Sequence, residues 1–414
     1  MAARKSSGGT AAKVRTSDVI AFRLHAHNLT NRQSSDALNE VAGACGIQNS
    51  PPGSALLALH ARVEGVTQGG CGHLIGEEKS LLQTWCMRGS PFYFPTVDAP
   101  VFTTGVLPAT ETARLHLIFG VEQALKGLGM GLDEAVDMAS AGIGAVLSGR
   151  QLGINELGKE LAERIADDLP PRQRNTWQAS GPYDAQQTLG EGVVHFCMRM
   201  LALRGIVCIA PRSGNKAPFV LLEEWLGSPL PQTDPDSARA ALLRRYLRCY
   251  GPSTRKNFAA WVGVRTGDVD PWWNLLEDEL MPVEAGGSQA WILADDLDTL
   301  QSPPETRGVR LLPPRDPYTQ MRDRETILEK QHHRVLWKPV GEPGAVLTDG
   351  AIAGMWRPRK RGSKLTLTVK TFRPLRTELR KRLHEEADHV AELRGAAAVQ
   401  VEFEDRSGSR RAAP

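Results

Sequence analysis

No apolar run in the 414 residues approaches the roughly 20 that a membrane-spanning helix needs. Residues 1–15 are small, polar and basic and lack the apolar centre of a signal peptide. The expectation is a cytoplasmic chain without membrane contact, with residues 1–15 and 405–414 disordered. An excess of one charge is missing too. Lys and Arg total 50 against 47 Asp and Glu, a net +3, so any nucleic-acid contact must come from how charge is distributed. Cysteine is scarce and scattered, with six residues at 45, 71, 86, 197, 208 and 249. They form no Cys-x-x-Cys pair and have no His nearby in a ligand pattern, which argues against zinc and for reduced thiols. His332 and His333 have no metal partners along the chain and read as surface or phosphate-contact residues. Carboxylates do not cluster as a metal-dependent nuclease requires. No metal and no cofactor are expected.

What is present is a helix-rich order with hairpins. Apolar spacing predicts helices over 16–29, 36–46 and 54–63, followed by a strand, Gly-Ser turn and strand over 82–95. Thr16 or Ser17, Asp36 and Ser54 are the expected caps. Further helices are expected over 110–128, 131–147, 156–169 and 190–204, then strands 206–210 and 219–222 around the polar turn 212–216. The order repeats with helices 237–250, 252–262 (Pro252 in its first turn) and 268–280 and a hairpin over 282–293. Helix, helix, helix and hairpin, three times at irregular spacing, points to tandem winged helices rather than a solenoid. From 308 onward, short strands (309–312, 335–337, 345–347, 352–356, 365–371), one helix (374–393) and a last strand (398–403) suggest a separate, mainly β domain. The fold class is therefore α+β. Three winged-helix units (16–108, 109–232 and 233–302) are expected beside a C-terminal β domain at 303–404.

Basic residues concentrate late in the chain. Arg357, Arg359, Lys360, Arg361 and Lys364 open a stretch reaching Arg382 that holds the single acid Glu378. Such a concentration suits a phosphate backbone. Arg88, Arg212 and Lys216, in the turns of the first two hairpins, are further candidates for DNA contact.

Between the second and third helices lies Gly46-Ile47-Gln48-Asn49-Ser50-Pro51-Pro52-Gly53. Two prolines prevent any helix from passing through it. Gln48, Asn49 and Ser50 form either a polar interhelical loop or a site that positions water without charge. As a trio they can hold water by hydrogen bonds but cannot act as an ordinary general base near pH 7.

Four stretches decide between these readings. Thr84-Trp85-Cys86-Met87-Arg88-Gly89-Ser90, Arg245-Tyr246-Leu247-Arg248-Cys249-Tyr250-Gly251-Pro252 with Phe258-Ala259-Ala260-Trp261, Leu311-Leu312-Pro313-Pro314-Arg315-Asp316-Pro317-Tyr318 with Arg322-Asp323-Arg324, and Val346-Leu347-Thr348-Asp349-Gly350-Ala351-Ile352-Ala353-Gly354-Met355-Trp356-Arg357 occur in this order. Together they resemble the winged-helix alkylpurine DNA glycosylases typified by AlkZ and YcaQ, over about residues 16–404. That resemblance implies a monomeric enzyme acting on double-stranded DNA, with the three winged helices curved around a DNA channel and the β domain alongside. It places a Gln-x-Gln or Gln-x-Asp catalytic motif on Gln48, Asn49 and Ser50. Gln48 matches, Ser50 departs from both versions, and Asn49 stands where an apolar residue is usual. The departures imply a different or narrower substrate range, favouring a bulky N7-alkylguanine, and the role of resembling family members implies self-resistance to a DNA-alkylating antibiotic. A DNA-binding transcription factor or an inert damage-recognition protein is the alternative.

Overall fold

The computed structural model describes residues 12–182, 186–212, 214 and 216–404. The expected disorder at 405–414 and at 1–11, and turn residues Ser213 and Asn215, lie outside them. Strand β1 (Ala12–Val14) precedes α1 (Thr16–Ala26). Arg15, not Thr16 or Ser17, occupies the cap of α1 and binds the Asp18 carboxylate at 2.8 and 2.9 Å. A 3-10 turn containing Asp36 leads into α2 (Leu38–Gly43). Strand β2 (Ile47–Gln48) and α3 (Ser54–His60) follow, then a helix over Gln68–Gly76. The hairpin β3 (Leu81–Trp85) and β4 (Pro91–Pro95) accepts β2 on the edge of β4, giving the order β2-β4-β3.

In the next stretch the helix expected over 110–128 is two, Glu111–Leu117 and Glu122–Leu128, broken where Gly120 turns left-handed at φ 108°. Helices Leu132–Leu147, Ile154–Asp168 and Leu189–Leu203 pack together over a continuous apolar core. The helix Pro171–Gln178, not expected from apolar spacing, buries only Trp177. Hairpin β5 (Val207–Ile209) and β6 (Phe219–Leu221) closes the unit.

Asp234 caps the helix Pro235–Tyr250 and Thr254 caps Arg255–Val262, so Pro252 precedes that second helix instead of opening it. The hairpin β7 (Leu280–Ala285) and β8 (Ser288–Leu293) turns on Gly286 and Gly287, both left-handed, as a tight two-residue turn requires. Strand β1 pairs in parallel with β7. Residues 12–14, expected to be disordered, are thus an edge strand.

The C-terminal sheet contains β9 (Val309–Leu312), β10 (Gly344–Thr348), β11 (Ala351–Arg361), β12 (Lys364–Thr371) and β13 (Ala398–Phe403), in the order β13-β12-β11-β10-β9. Helix Thr377–Leu393 crosses from β12 to the parallel β13. It covers one face through Leu383, Ala387 and Val390, and Leu57 of α3 joins that cluster. On the other face Leu312, Ala345 and Leu347 belong to the main core. The sheet is therefore not separate from the helical part. Residues 335–337, expected as a strand, end the helix His333–Leu336, and the Trp337 indole donates to the Thr319 carbonyl at 2.9 Å. The fold is α+β with a β-rich C-terminal sheet. Among the described residues no helix is long and apolar enough to cross a membrane.

Buried ions join distant parts of the chain. Arg62, just beyond α3, forms a fork with Asp316, both contacts 2.7 Å, and both side chains are almost fully buried. Asp316 also accepts from the Tyr318 backbone at 2.9 Å. Arg23 of α1 reaches Asp323 at 2.7 Å and the Pro252 carbonyl at 2.8 Å. Arg32 binds both Glu386 oxygens at 2.8 Å.

Removing one member of a buried pair strands the other charge, so Asp316→Asn should cost about 3–5 kcal/mol. Urea unfolding should show the loss, and replacing both Arg62 and Asp316 with leucine should recover part of it.

Candidate active site at the Gln48 loop

The loop is positioned from below by Gly46. Its φ is 72°, and a Cβ there would come within 3.2 Å of the Phe92 and Phe102 rings. Strand β2 pairs Ile47 with Tyr93 and Gln48 with Phe92, and the Asn49 amide donates to the Pro91 carbonyl at 2.8 Å. Alternation along this extended segment sends Gln48 and Asn49 to opposite sides.

Gln48 is buried and meets the tip of the first hairpin. Its Oε1 accepts from Arg88 Nη2 at 3.1 Å. Arg88 is itself left-handed, at φ 57°, a conformation costly for a side chain with a Cβ. Its other guanidinium nitrogen donates to the Trp261 carbonyl, at the C-terminal end of the helix Arg255–Val262, where a cation suits the helix dipole. Gly263 permits this approach, because a Cβ there would lie 3.0 Å from Arg88 Cγ. Arg88 also lies over the Phe92 ring, 5.6 Å from its centroid. Burial pulls Arg88 down to about 9, with Arg322 and Arg315 pushing the same way, and it remains a cation at neutral pH. Among the described residues no carboxylate bonds to Arg88, Gln48, Asn49 or Ser50.

Asn49 does not project into open space. Its Oδ1 accepts from the Gly53 amide at 2.9 Å and the Ala55 amide at 3.4 Å, and its Nδ2 donates to Tyr93 Oη at 3.1 Å. Asn49 therefore satisfies the start of α3, the task expected of Ser54, whose hydroxyl is buried without a partner. Of the trio only Ser50 is partly open to solvent. The peptide between Ser50 and Pro51 is cis.

Beside Arg88 stands a basic group that sequence reading did not select. Arg315, Arg322 and Arg324 gather around Glu342. Burial raises the Glu342 carboxyl, while Arg315, Arg324 and Arg322 act in the opposite direction. Arg324 stacks over Trp337, 4.6 Å from the ring centroid. Their signal in the chain was the cation-rich 315–324 stretch, which resembled a family motif without revealing which way its side chains face.

The expected DNA-binding residues separate into groups. Arg357 donates to the Gly341 carbonyl at 2.7 Å, next to Glu342. Arg359, Arg361 and Lys364 are exposed, with Arg361 opposite Lys364 across the β11–β12 hairpin. Lys360 points to the other face and donates to the Arg394 and Gly395 carbonyls at 2.7 and 2.9 Å, capping the C-terminal helix. Arg212 and Lys360 line a cleft of about 410 Å³ with Asn49, Tyr93, Leu56 and Arg394. Lys216 is exposed on the second hairpin. Later cations are already engaged: Arg373 with Glu329, Arg376 with Asp349 and Arg382 with Glu378. His332 stacks on Phe372 at 4.0 Å, and His333 Nε2 lies 2.8 Å from the Leu328 carbonyl. Spacing along the chain argued against a metal site, yet the fold gathers His27, Cys45 and Cys249.

Comparison with known proteins defines the class as DNA glycosylase. The family model for DNA glycosylase AlkZ-like proteins matches residues 41–393, and the chain belongs to that family. A relative in Streptomyces sahachiroi, described as an interstrand DNA cross-link repair glycosylase, is 24% identical over 392 residues, covering 92% of this chain and 97% of the relative. The solved structure of Streptomyces sahachiroi DNA glycosylase AlkZ superposes with a TM-score of 0.72 at 22% identity, covering 95% of this chain and 100% of that one. The enzyme is a DNA N-glycosylase.

If Asn49 caps α3, Asn49→Ala should lower stability by about 1–2 kcal/mol. Asn49→Asp keeps the acceptor at a helix N-terminus and should restore most of it in the same denaturation experiment.

Proposed function

We propose that this glycosylase hydrolyses the N-glycosidic bond of bulky N7-alkylguanines in double-stranded DNA. The observation that carries the proposal is Gln48, held by Arg88 in a site where, among the described residues, no carboxylate bonds to the reacting loop. An N7-alkylated guanine already bears positive charge. When its bond to C1′ breaks, the bonding electrons neutralise the ring and the base leaves without protonation. The enzyme need only orient water and favour a cationic sugar. The Gln48 carbonyl has two lone pairs, and Arg88 occupies one. The other accepts a hydrogen of the attacking water, whose oxygen bonds to C1′ and whose surplus proton goes to solvent. Undamaged purines would require a stronger acid than this loop contains.

In this account Gln48 orients water, Asn49 holds the loop on α3, and Ser50 leaves more room and water at the sugar than Gln or Asp would. That room favours a large adduct over a methyl group. The relative's description as a cross-link repair enzyme supports bulky N7 lesions, and we place the protein in self-resistance to a DNA-alkylating natural product. Units 16–108, 109–232 and 233–302 are read as three winged helices lining a DNA channel, with 303–404 beside them, in a monomer.

A cationic track supports DNA binding. It runs from Arg88 to Arg322, through Arg315 and Arg324 around Glu342, to Arg357 beside Gly341, and on to Arg359, Arg361 and Lys364. Like charges gathered with so few acids are held apart most comfortably by phosphates.

Gln48→Ala should slow single-turnover base release by about 10²-fold or more while leaving duplex affinity nearly unchanged. Equal rates for mutant and parent would remove the loop from the reaction. Charge removal at Arg359, Arg361 and Lys364, with Lys360 left to cap its helix, should weaken binding to all sequences and reduce the slope of log K against log salt by roughly the number of phosphates lost. An unchanged slope would place these residues off the DNA.

A further inference from the structure

Away from the Gln48 site, three donors converge in the core. His27 follows α1, Cys45 follows α2, and Cys249 lies near the end of the helix Pro235–Tyr250. All three are about 2% exposed, and one ligand atom from each lies within 4.8 Å of the other two. His27 Nδ1 is 3.9 Å from Cys45 Sγ. His27 Nε2 is buried without a partner, so neither ring nitrogen is engaged by a backbone carbonyl or a carboxylate. Cys249 Sγ lies 3.5 Å from the Ala44 carbonyl and 3.9 Å from that of Ala26. Cys45 Sγ receives the Tyr250 hydroxyl at 3.8 Å, a hydroxyl already donated to the Pro317 carbonyl at 2.9 Å. A buried imidazole with an unsatisfied nitrogen beside two sulfurs is a poor use of a core and a good set of soft ligands.

We propose that His27, Cys45 and Cys249 bind one thiophilic divalent cation of the zinc type. Two thiolates, a neutral imidazole and a divalent ion sum to zero charge, which suits three donors that, among the described residues, no carboxylate bonds. A univalent soft cation would leave the same ligands one negative charge in excess. The separations among the donors are those of a compact three-ligand set. Metal binding displaces the protons of both thiols. The role is structural. The ion would join α1, the residue three before Gln48, and the helix carrying Tyr246 and Tyr250, fixing the entrance of the loop to the third unit. None of these ligands touches the proposed reaction site, so the inference stands whether or not the assignment of Gln48 does.

The full chain, reduced and dialysed against chelator, should be titrated with Zn²⁺ and separately with Co²⁺. The expected result is one equivalent per chain, with the near-ultraviolet thiolate-to-cobalt absorption and visible bands of a low-coordinate cobalt site. Cys249→Ala should weaken zinc binding by more than about 100-fold. Because that variant removes a core side chain, the parent provides a second readout. Zinc should protect Cys45 and Cys249 from alkylation in mild urea, mapped by mass spectrometry, while Cys71, Cys86, Cys197 and Cys208 react alike with and without metal. Binding of less than about a tenth of an equivalent, absence of the cobalt bands with both thiols reduced, or a Cys45–Cys249 disulfide in the protein as isolated would each overturn the proposal.

Discussion

Arg88 is the interaction on which the site depends. Its guanidinium joins three segments that are far apart in sequence: the Gln48 loop, the first hairpin turn and the end of the helix carrying Trp261. It does so from a left-handed backbone, near Arg322 and Arg315 and, among the described residues, without a carboxylate partner. A cation held this way is stabilised by neutral oxygens: the Gln48 amide on one side and the negative end of a helix on the other. The same contacts deny Gln48 any rotational freedom. Orientation of a neutral amide is the only catalytic resource such a loop can offer, so the clasp and the proposed chemistry are one feature.

The clasp works because its supports are themselves fixed. The loop follows α2 and precedes α3, and α3 is held at its far end by Arg62 and Asp316 and along its side by Leu57 in the C-terminal core. Asp316, Arg315 and Arg322 belong to one short segment between β9 and the helix His333–Leu336. A single stretch thus secures the Gln48 loop and supplies the cations beside Arg88. The Arg23–Asp323 pair holds that stretch to α1. Buried pairs of this kind add little net stability, but they penalise any packing that separates their members.

Much of this architecture was legible in the chain because hairpins and amphipathic helices are local. The three hairpins, the C-terminal helix and most strands of the last sheet stand close to their expected places, and the family resemblance agrees with the comparisons. The failures share one physical cause: they turn on partners distant in sequence. Ser54 precedes α3 and reads as its cap, but Asn49, folded back from the preceding loop, takes the role. Lys360 reads as one cation among many, yet carbonyls more than thirty residues later claim it. Residues 12–14 look too short and polar for order until β7 offers an edge. Residues 335–337 have strand-like side chains, but burial of the Trp337 indole against Thr319 sets their conformation. Cys45 and Cys249 lie 204 positions apart, beyond the reach of any spacing rule.

The central claim is that an uncharged, clasped glutamine suffices because the leaving base is already cationic, and that Ser50 widens the site for a large lesion. Its most direct test is single-turnover release of free base from three duplexes carrying a bulky N7-guanine adduct, 7-methylguanine or unmodified guanine, read by mass spectrometry of the base and alkaline cleavage of the abasic strand. The account predicts release of the bulky adduct at least about tenfold faster than 7-methylguanine, within the range that pocket fit can supply, and none from unmodified guanine. Binding without base release, or equal rates for the bulky and methyl adducts, would contradict it.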